Sequence, residues 1–186
     1  EIIDAQGPGC DTCHKMLQRW RVGYNWPNSE HGIEGHMQAL EGIKVLDFCR
    51  NAPGMFATTV LADLGADVLM IERPMDETRA AYEKLVAGID GPEDERRHAA
   101  FNALQRNKRS LALNLKEPEA QQIFHKLAET ADVVVEGFRP GVMDRLGAGY
   151  EKVRSINPRA VYCSVSGYGQ DGPYSQMAGH DINYIS

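Results

Sequence analysis

The sequence has no long apolar run, no basic excess and only four cysteines in 186 residues. Each shortage removes a class of protein. No stretch approaches the ~20 apolar residues that a membrane-spanning helix needs, so no membrane partner is expected. A formal net charge of -6 gives no general attraction to nucleic acid or to an anionic membrane. An anionic ligand would therefore need a local basic cluster. Cys10, Cys13, Cys49 and Cys163 are too few and too scattered to staple a disulfide framework. The opening residues, EIIDAQGPG, carry neither the basic nor the apolar region of an export signal, so reduced thiols in a cytoplasm are expected. There is no internal repeat and no low-complexity tract. What remains is 42% hydrophobic and 25% charged, enough for one domain with a substantial core.

The first 36 residues stand apart. Cys10, Cys13 and His14 form C-x-x-C-H, the attachment pattern of a c-type haem. Covalent haem needs an oxidising compartment, a fold that wraps the porphyrin and usually a sixth ligand, and Met16 is too near in sequence to reach round the ring. His31 and His36 complete a loose zinc-finger spacing, but no hairpin and apolar helix lie between the pairs. The plain reading is a polar, partly disordered leader of unassigned role that carries a chance CxxC and no metal. Met37 reads as the start of the folded domain, residues 37–186. The chain begins with Glu and ends inside an apolar pattern, so both ends read as cut.

After Met37 the pattern alternates. IKVLDF (Ile43 to Phe48) and ADVLMIE (Ala66 to Glu72) are short apolar runs that read as buried strands. Between them, MFATTVLADLG places Phe56, Val60, Leu61 and Leu64 at helical spacing, with Gly65 at the C-cap. SLALNL (Ser110 to Leu115), DVVVEGF (Asp132 to Phe138) and RAVYCSVSG (Arg159 to Gly167) repeat the strand signal. EPEAQQIFHKLAETA reads as a helix with Pro118 in its first turn, and GVMDRLG and YEKVRSI as short helical pieces. Alternating strands and helices with near-continuous apolar strands predict an α/β fold, a Rossmann-like parallel sheet with helices on both faces. From Pro74 to Asn107 the signal degrades into a surface excursion or lid, with a helix signal over Asp94 to Leu104.

In such sheets ligands bind beyond the carboxyl ends of the strands. Those ends carry CRNAPG, ERP, EGFRPG and SGYGQDGP. Glu72 could hold a ribose hydroxyl, but the first turn lacks G-x-G-x-x-G and so has no tight pyrophosphate cradle. The basic residues of the loops say more. Arg73, Arg106, Lys108, Arg109, Arg139 and Arg145 stand beside strand ends, and guanidinium groups form two parallel bonds to phosphate oxygens. Read as residues alone, they serve equally well as solvated surface charges. His180 follows a Gly- and Pro-rich loop and opens a helix signal, with Asp181 able to cap it. A helix N-terminus disfavours imidazolium, which suits a neutral base.

The ordered series LEGIKVLDF, PGMFATTVLADLGADVLMIERP, NKRSLALNLK, ADVVVEGFRPGVMDRLG and NPRAVYCSVSGYGQDGP resembles the class III CoA-transferases, the CaiB/BaiF type, a family that also holds α-methylacyl-CoA racemases. The resemblance runs from about Leu40 to Ser186, and it sets the haem reading aside. It implies the N-terminal part of the large domain, a chain about half the family length, an interlocked homodimer when full length and no permanently bound cofactor, with a coenzyme A thioester as substrate. It also implies that Arg73 and the group Arg106, Asn107, Lys108 and Arg109 contact the nucleotide and phosphates. Gly137, Arg139 and Arg145 would line the CoA channel. Family transferases attack the acyl group with an Asp that falls downstream of GHDINY, outside this chain. Racemases pair that Asp with a His, and AGHDINYIS resembles the racemase version, with His180 as the base. The long segment from Thr78 to Gln105 is closer to the transferases. Three readings stand: a racemase or epimerase, a CoA-transferase, and a truncated, inactive fragment that binds CoA.

Overall fold

The structure, a computed structural model, describes residues 2–4, 38–74, 103–179 and 183. Ten elements succeed one another: β1 (Ile2–Asp4), β2 (Lys44–Phe48), α1 (Ala52–Asp63), β3 (Asp67–Glu72), β4 (Lys108–Ala112), α2 (Pro118–Ala128), β5 (Val133–Glu136), α3 (Val142–Arg145), α4 (Tyr150–Ile156) and β6 (Val161–Ser164). All strand pairings are parallel, in the order β1-β4-β3-β2-β5-β6. From β2 the sheet grows one way through β3 and β4, then the chain returns to the other side of β2. That reversal, between β2 and β5, is a topological switch point. The fold is the expected α/β, Rossmann-like parallel sheet.

The apolar runs become strands because helices cover both sheet faces. Alternation sends Leu46, Phe48, Leu69, Ile71, Leu111 and Val134 to one face, where Phe124, Leu127, Met143 and Val153 of α2, α3 and α4 cover them. Phe124 meets Phe48 edge to face, ring centroids 5.4 Å apart. Val45, Cys49, Val68 and Val135 go to the other face, beside Ala62 of α1. There β6 is less covered, with Val161 and Cys163 exposed.

Two expectations change. α1 does not bury the apolar stripe read from its spacing: Phe56, Val60 and Leu64 are exposed, Leu61 is partly buried, and the inward residues are Gly54, Thr58, Thr59 and Ala62. The reason is what lies beneath. The helix packs on a buried ion pair, which needs hydroxyl partners and close approach rather than bulk. β4 also starts two residues early. Lys108 and Arg109 pair with Val68 and Leu69 as strand residues, because carboxylates on neighbouring elements receive their side chains.

The leader contributes one strand: Ile2–Asp4 pairs with Ser110, Leu111 and Ala112. The CxxCH motif, His31 and His36 lie outside the described residues, as does most of the expected excursion. Residues 103–107 form a turn. No helix among the described residues is long and apolar enough to cross a membrane.

Candidate functional site

The switch point, where sheets of this kind bind ligands in a crevice, lies between the segments that leave β2 and β5. Asp47, the one charged residue inside β2 after Lys44, shapes the first: its Oδ1 accepts the Cys49 N–H at 2.8 Å. Asn51 then takes the N-cap position of α1 without a side-chain capping bond, and Pro53 stands early in the first turn, where a missing N–H costs nothing. Gly54 faces Cys49 so closely that a Cβ there would lie 2.8 Å from Cys49 Cβ. On the far wall, Gly137 leaves β5, and a Cβ added to it would lie 4.0 Å from Cys49 Cα and Sγ and 3.9 Å from the Val165 carbonyl. Glu136 Oε2 accepts the Phe138 N–H at 2.8 Å and turns the chain outward. Gly141, at φ 79°, starts α3 in a conformation that glycine adopts without strain. Thus β2, β5 and the segment after β6 converge on one edge.

The basic residues divide. Arg139 and Arg145 follow β5 at this edge, are exposed, and make no ion pair among the described residues. Arg73 is exposed just past β3, on the same edge of the sheet. The Arg106–Arg109 group sits elsewhere. Arg106 pairs with Asp63, the last residue of α1, and Asn107 Nδ2 donates to the same carboxylate at 2.8 Å. The hydrogen bond from Arg106 holds the Asp63 carboxyl below the usual range. Arg109 forks onto Asp67, Nε to Oδ1 at 3.0 Å and Nη2 to Oδ2 at 2.6 Å, at the amino end of β3. The Lys108 side chain is fully buried. Its Nζ donates to Asp47 Oδ2 at 3.1 Å, the Met55 carbonyl at 2.9 Å and Thr58 Oγ1 at 2.7 Å. Three donors have three acceptors inside the protein, and none faces a crevice. His180 lies outside the described residues, but the segment leading to it departs from this edge: the Val165 N–H donates to the Glu136 carbonyl at 2.8 Å, and its side chain packs against the cluster that holds Cys49 and Val135.

Two chemistries are unfavourable here. Glu72 occupies the position of a ribose-binding acid, yet Arg50 Nη1 donates to its Oε1 at 2.8 Å and Ser110 Oγ to its Oε2 at 2.6 Å. Both oxygens are engaged, which agrees with the missing glycine fingerprint. Cys49 is no ready nucleophile, because burial and then the Asp47 charge push its thiol far above the usual range. Among the described residues no group of three His, Cys, Asp or Glu side chains is placed to hold a metal. Sequence reasoning missed Asp47, Thr58 and Arg50. The available signals were an aspartate inside an apolar strand and two threonines in an apolar helix.

Glycines line the switch point of this doubly wound parallel sheet, and Arg139 and Arg145 stand at its edge without an ion pair among the described residues. The family model for CoA-transferase family III matches residues 40–186, and the chain belongs to that family. It is 40% identical to human succinyl-CoA:glutarate CoA-transferase over 158 residues, 84% of this chain and 34% of that protein. It is 38% identical to human alpha-methylacyl-CoA racemase over 148 residues, 80% of this chain and 33% of that one. The crystal structure of a CaiB/BaiF family protein from Brucella suis matches with a TM-score of 0.65 and 36% identity, covering 78% of this chain and 38% of that one. The chain spans about a third of the length of the curated relatives it matches.

Proposed function

We propose that the protein is an acyl-CoA racemase or epimerase, with its coenzyme A site at the switch-point crevice. One observation carries the finer reading: AGHDINYIS follows the glycine-rich segment that leaves β6 at that crevice. A His in that place suits proton exchange next to a thioester carbonyl. His180 takes the α-proton, the electron pair moves onto the carbonyl oxygen as an enolate, and a proton returns to carbon from an acid on the opposite face. Arg73, Arg139 and Arg145 are assigned to the anionic groups of coenzyme A, and Gly137 to close approach of the thioester arm. Arg106, Asn107 and Arg109 are assigned to packing, since their donors already meet carboxylates. A thioester substrate then needs no permanently held cofactor. An interlocked homodimer of the full-length protein belongs to the same proposal.

A second reading is CoA transfer between carboxylic acids, favoured by relatives named CoA-transferases, including those acting on glutarate and oxalate. There a carboxylate attacks the acyl carbon and His180 only lines the pocket. The test is incubation of the full-length protein with a 2-methylacyl-CoA in deuterated water, beside His180→Ala. Deuterium at the α-carbon that the variant fails to incorporate supports the racemase. No exchange, together with acyl movement to an added free acid, supports the transferase.

A further inference from the structure

The side chains of Asp47, Lys108 and Thr58 lie wholly buried beneath the start of α1, and the chemistry proposed above uses none of them. A buried ion pair is weak evidence of stabilisation, because desolvation offsets the attraction and an apolar pair of similar volume often packs as well. The distinctive feature here is where the remaining bonds go. Asp47 Oδ1 holds the Cys49 N–H, in the turn leaving β2. Lys108 Nζ holds the Met55 carbonyl, in the first turns of α1. Thr58 closes the link, donating its hydroxyl to Asp47 Oδ2 at 2.6 Å while accepting from Lys108. Both ends of the cluster thus grip backbone of residues 49–55, one wall of the crevice. The opposite wall, at Gly137, is near enough that a Cβ added there would touch Cys49, 4.0 Å from its Cα and Sγ. A small movement of the first wall closes or widens the space between them.

We infer that Asp47, Lys108 and Thr58 are positioning residues for coenzyme A. They touch no substrate and act by fixing the 49–55 wall; the inference rests on the coenzyme A reading of the crevice. It gives Lys108 a role through Met55 and Asp47 in place of a direct phosphate contact.

The test titrates coenzyme A calorimetrically into the full-length protein as wild type, Thr58→Val, Thr58→Ser and the double variant Asp47→Leu/Lys108→Met. Thermal unfolding and amide exchange at Cys49 are read on each. Thr58→Val keeps the shape and loses the hydroxyl, so its coenzyme A affinity falls about tenfold, and Thr58→Ser restores it to within about twofold. The double variant unfolds cooperatively near the wild-type temperature, yet binds weakly and exchanges the Cys49 amide faster. Wild-type affinity in Thr58→Val or in the double variant overturns the inference. So does an affinity loss that only tracks loss of folded protein and that serine fails to restore. If the double variant does not fold, the Thr58 pair decides. A wild-type protein that binds no coenzyme A overturns the functional reading itself, and the wild-type arm alone shows that.

Discussion

Replacing Gly54 by alanine sets two known effects against each other. Alanine is the better helix former by about 1 kcal/mol, so an unobstructed site would gain stability. Gly54 is obstructed. The added Cβ would lie 2.8 Å from Cys49 Cβ, with Cys49 Sγ closer still. Rotation about χ1 of Cys49 clears the sulfur but leaves its Cβ in place, so only backbone movement relieves the clash. α1 must move off β2 by several tenths of an ångström. Overpacking of that kind costs about 1–3 kcal/mol. The same shift stretches the Lys108–Met55 and Thr58–Asp47 bonds, now 2.9 and 2.6 Å, and bonds to charged groups contribute about 1.5–3 kcal/mol each when intact. The costs exceed the propensity gain, and net destabilisation of about 1–3 kcal/mol is expected.

For a domain of this size that lowers Tm by on the order of 5 °C, well within reach of calorimetry. A double-mutant cycle identifies the cause. Cys49→Gly removes both offending atoms and restores most of the loss when combined with Gly54→Ala, whereas Cys49→Ser keeps Cβ and does not. A Tm for Gly54→Ala equal to or above wild type, or strict additivity with Cys49→Gly, refutes the reasoning that close approach of α1 to β2 builds the crevice wall.

Three further outcomes follow from the same contacts. Asn157 is buried and its Nδ2 donates to the Ala128 and Ala131 carbonyls at 3.1 and 2.9 Å, so Asn157→Ala and Asn157→Asp each cost about 1–3 kcal/mol in unfolding experiments; a neutral effect would mean that water replaces the bonds. The Cys49 thiol, held protonated by burial and by the Asp47 charge, resists iodoacetamide at pH 8 while exposed Cys163 is alkylated. Its folded value lies above the unfolded one, so its contribution to stability is full below the ordinary thiol range and is lost as pH rises through the folded value. Alkylation of Cys49 as fast as Cys163, followed peptide by peptide, contradicts this. The Asp63 carboxyl is depressed chiefly by its bond from Arg106, so its contribution is present above the ordinary carboxylate range and is lost as pH falls through the folded value. An NMR titration of Asp63 moves up in Arg106→Leu; an unmoved midpoint breaks the link.

The strands were legible because a strand covered on both faces is apolar almost throughout, and Val45, Leu46, Leu69 and Val134 give that signal locally. The switch-point edge was legible for a similar reason: breakers such as Pro53, Gly54, Pro140 and Gly141 mark where strands stop. The inward face of α1 was not. Helical spacing favours Phe56, Val60 and Leu64, and nothing local shows that the surface beneath is an aspartate from β2 joined to a lysine 61 residues further on. Small and hydroxyl-bearing residues face that pair because bulk would block it, and the apolar stripe turns outward.

The basic run RNKR shows most clearly what spacing conceals. As text it is one cluster and suggests one phosphate site. In the fold, Asn107 takes φ 59° and ends the turn, which leaves Arg106 beside the end of α1 and starts β4 at Lys108. Successive strand residues point to opposite faces, so Lys108 goes beneath α1 and Arg109 to the other side, onto Asp67. Here the two adjacent cations at the start of the strand point to opposite faces and meet separate carboxylates. By contrast, Arg139 and Arg145 lie six residues apart, but the turn at Gly141 and the short α3 keep both on the crevice edge. Basic residues in an α/β chain are therefore better weighed by the strand end they follow than by their density, and here that criterion separates Arg139 and Arg145, which make no ion pair among the described residues, from Arg106 and Arg109, which meet carboxylates.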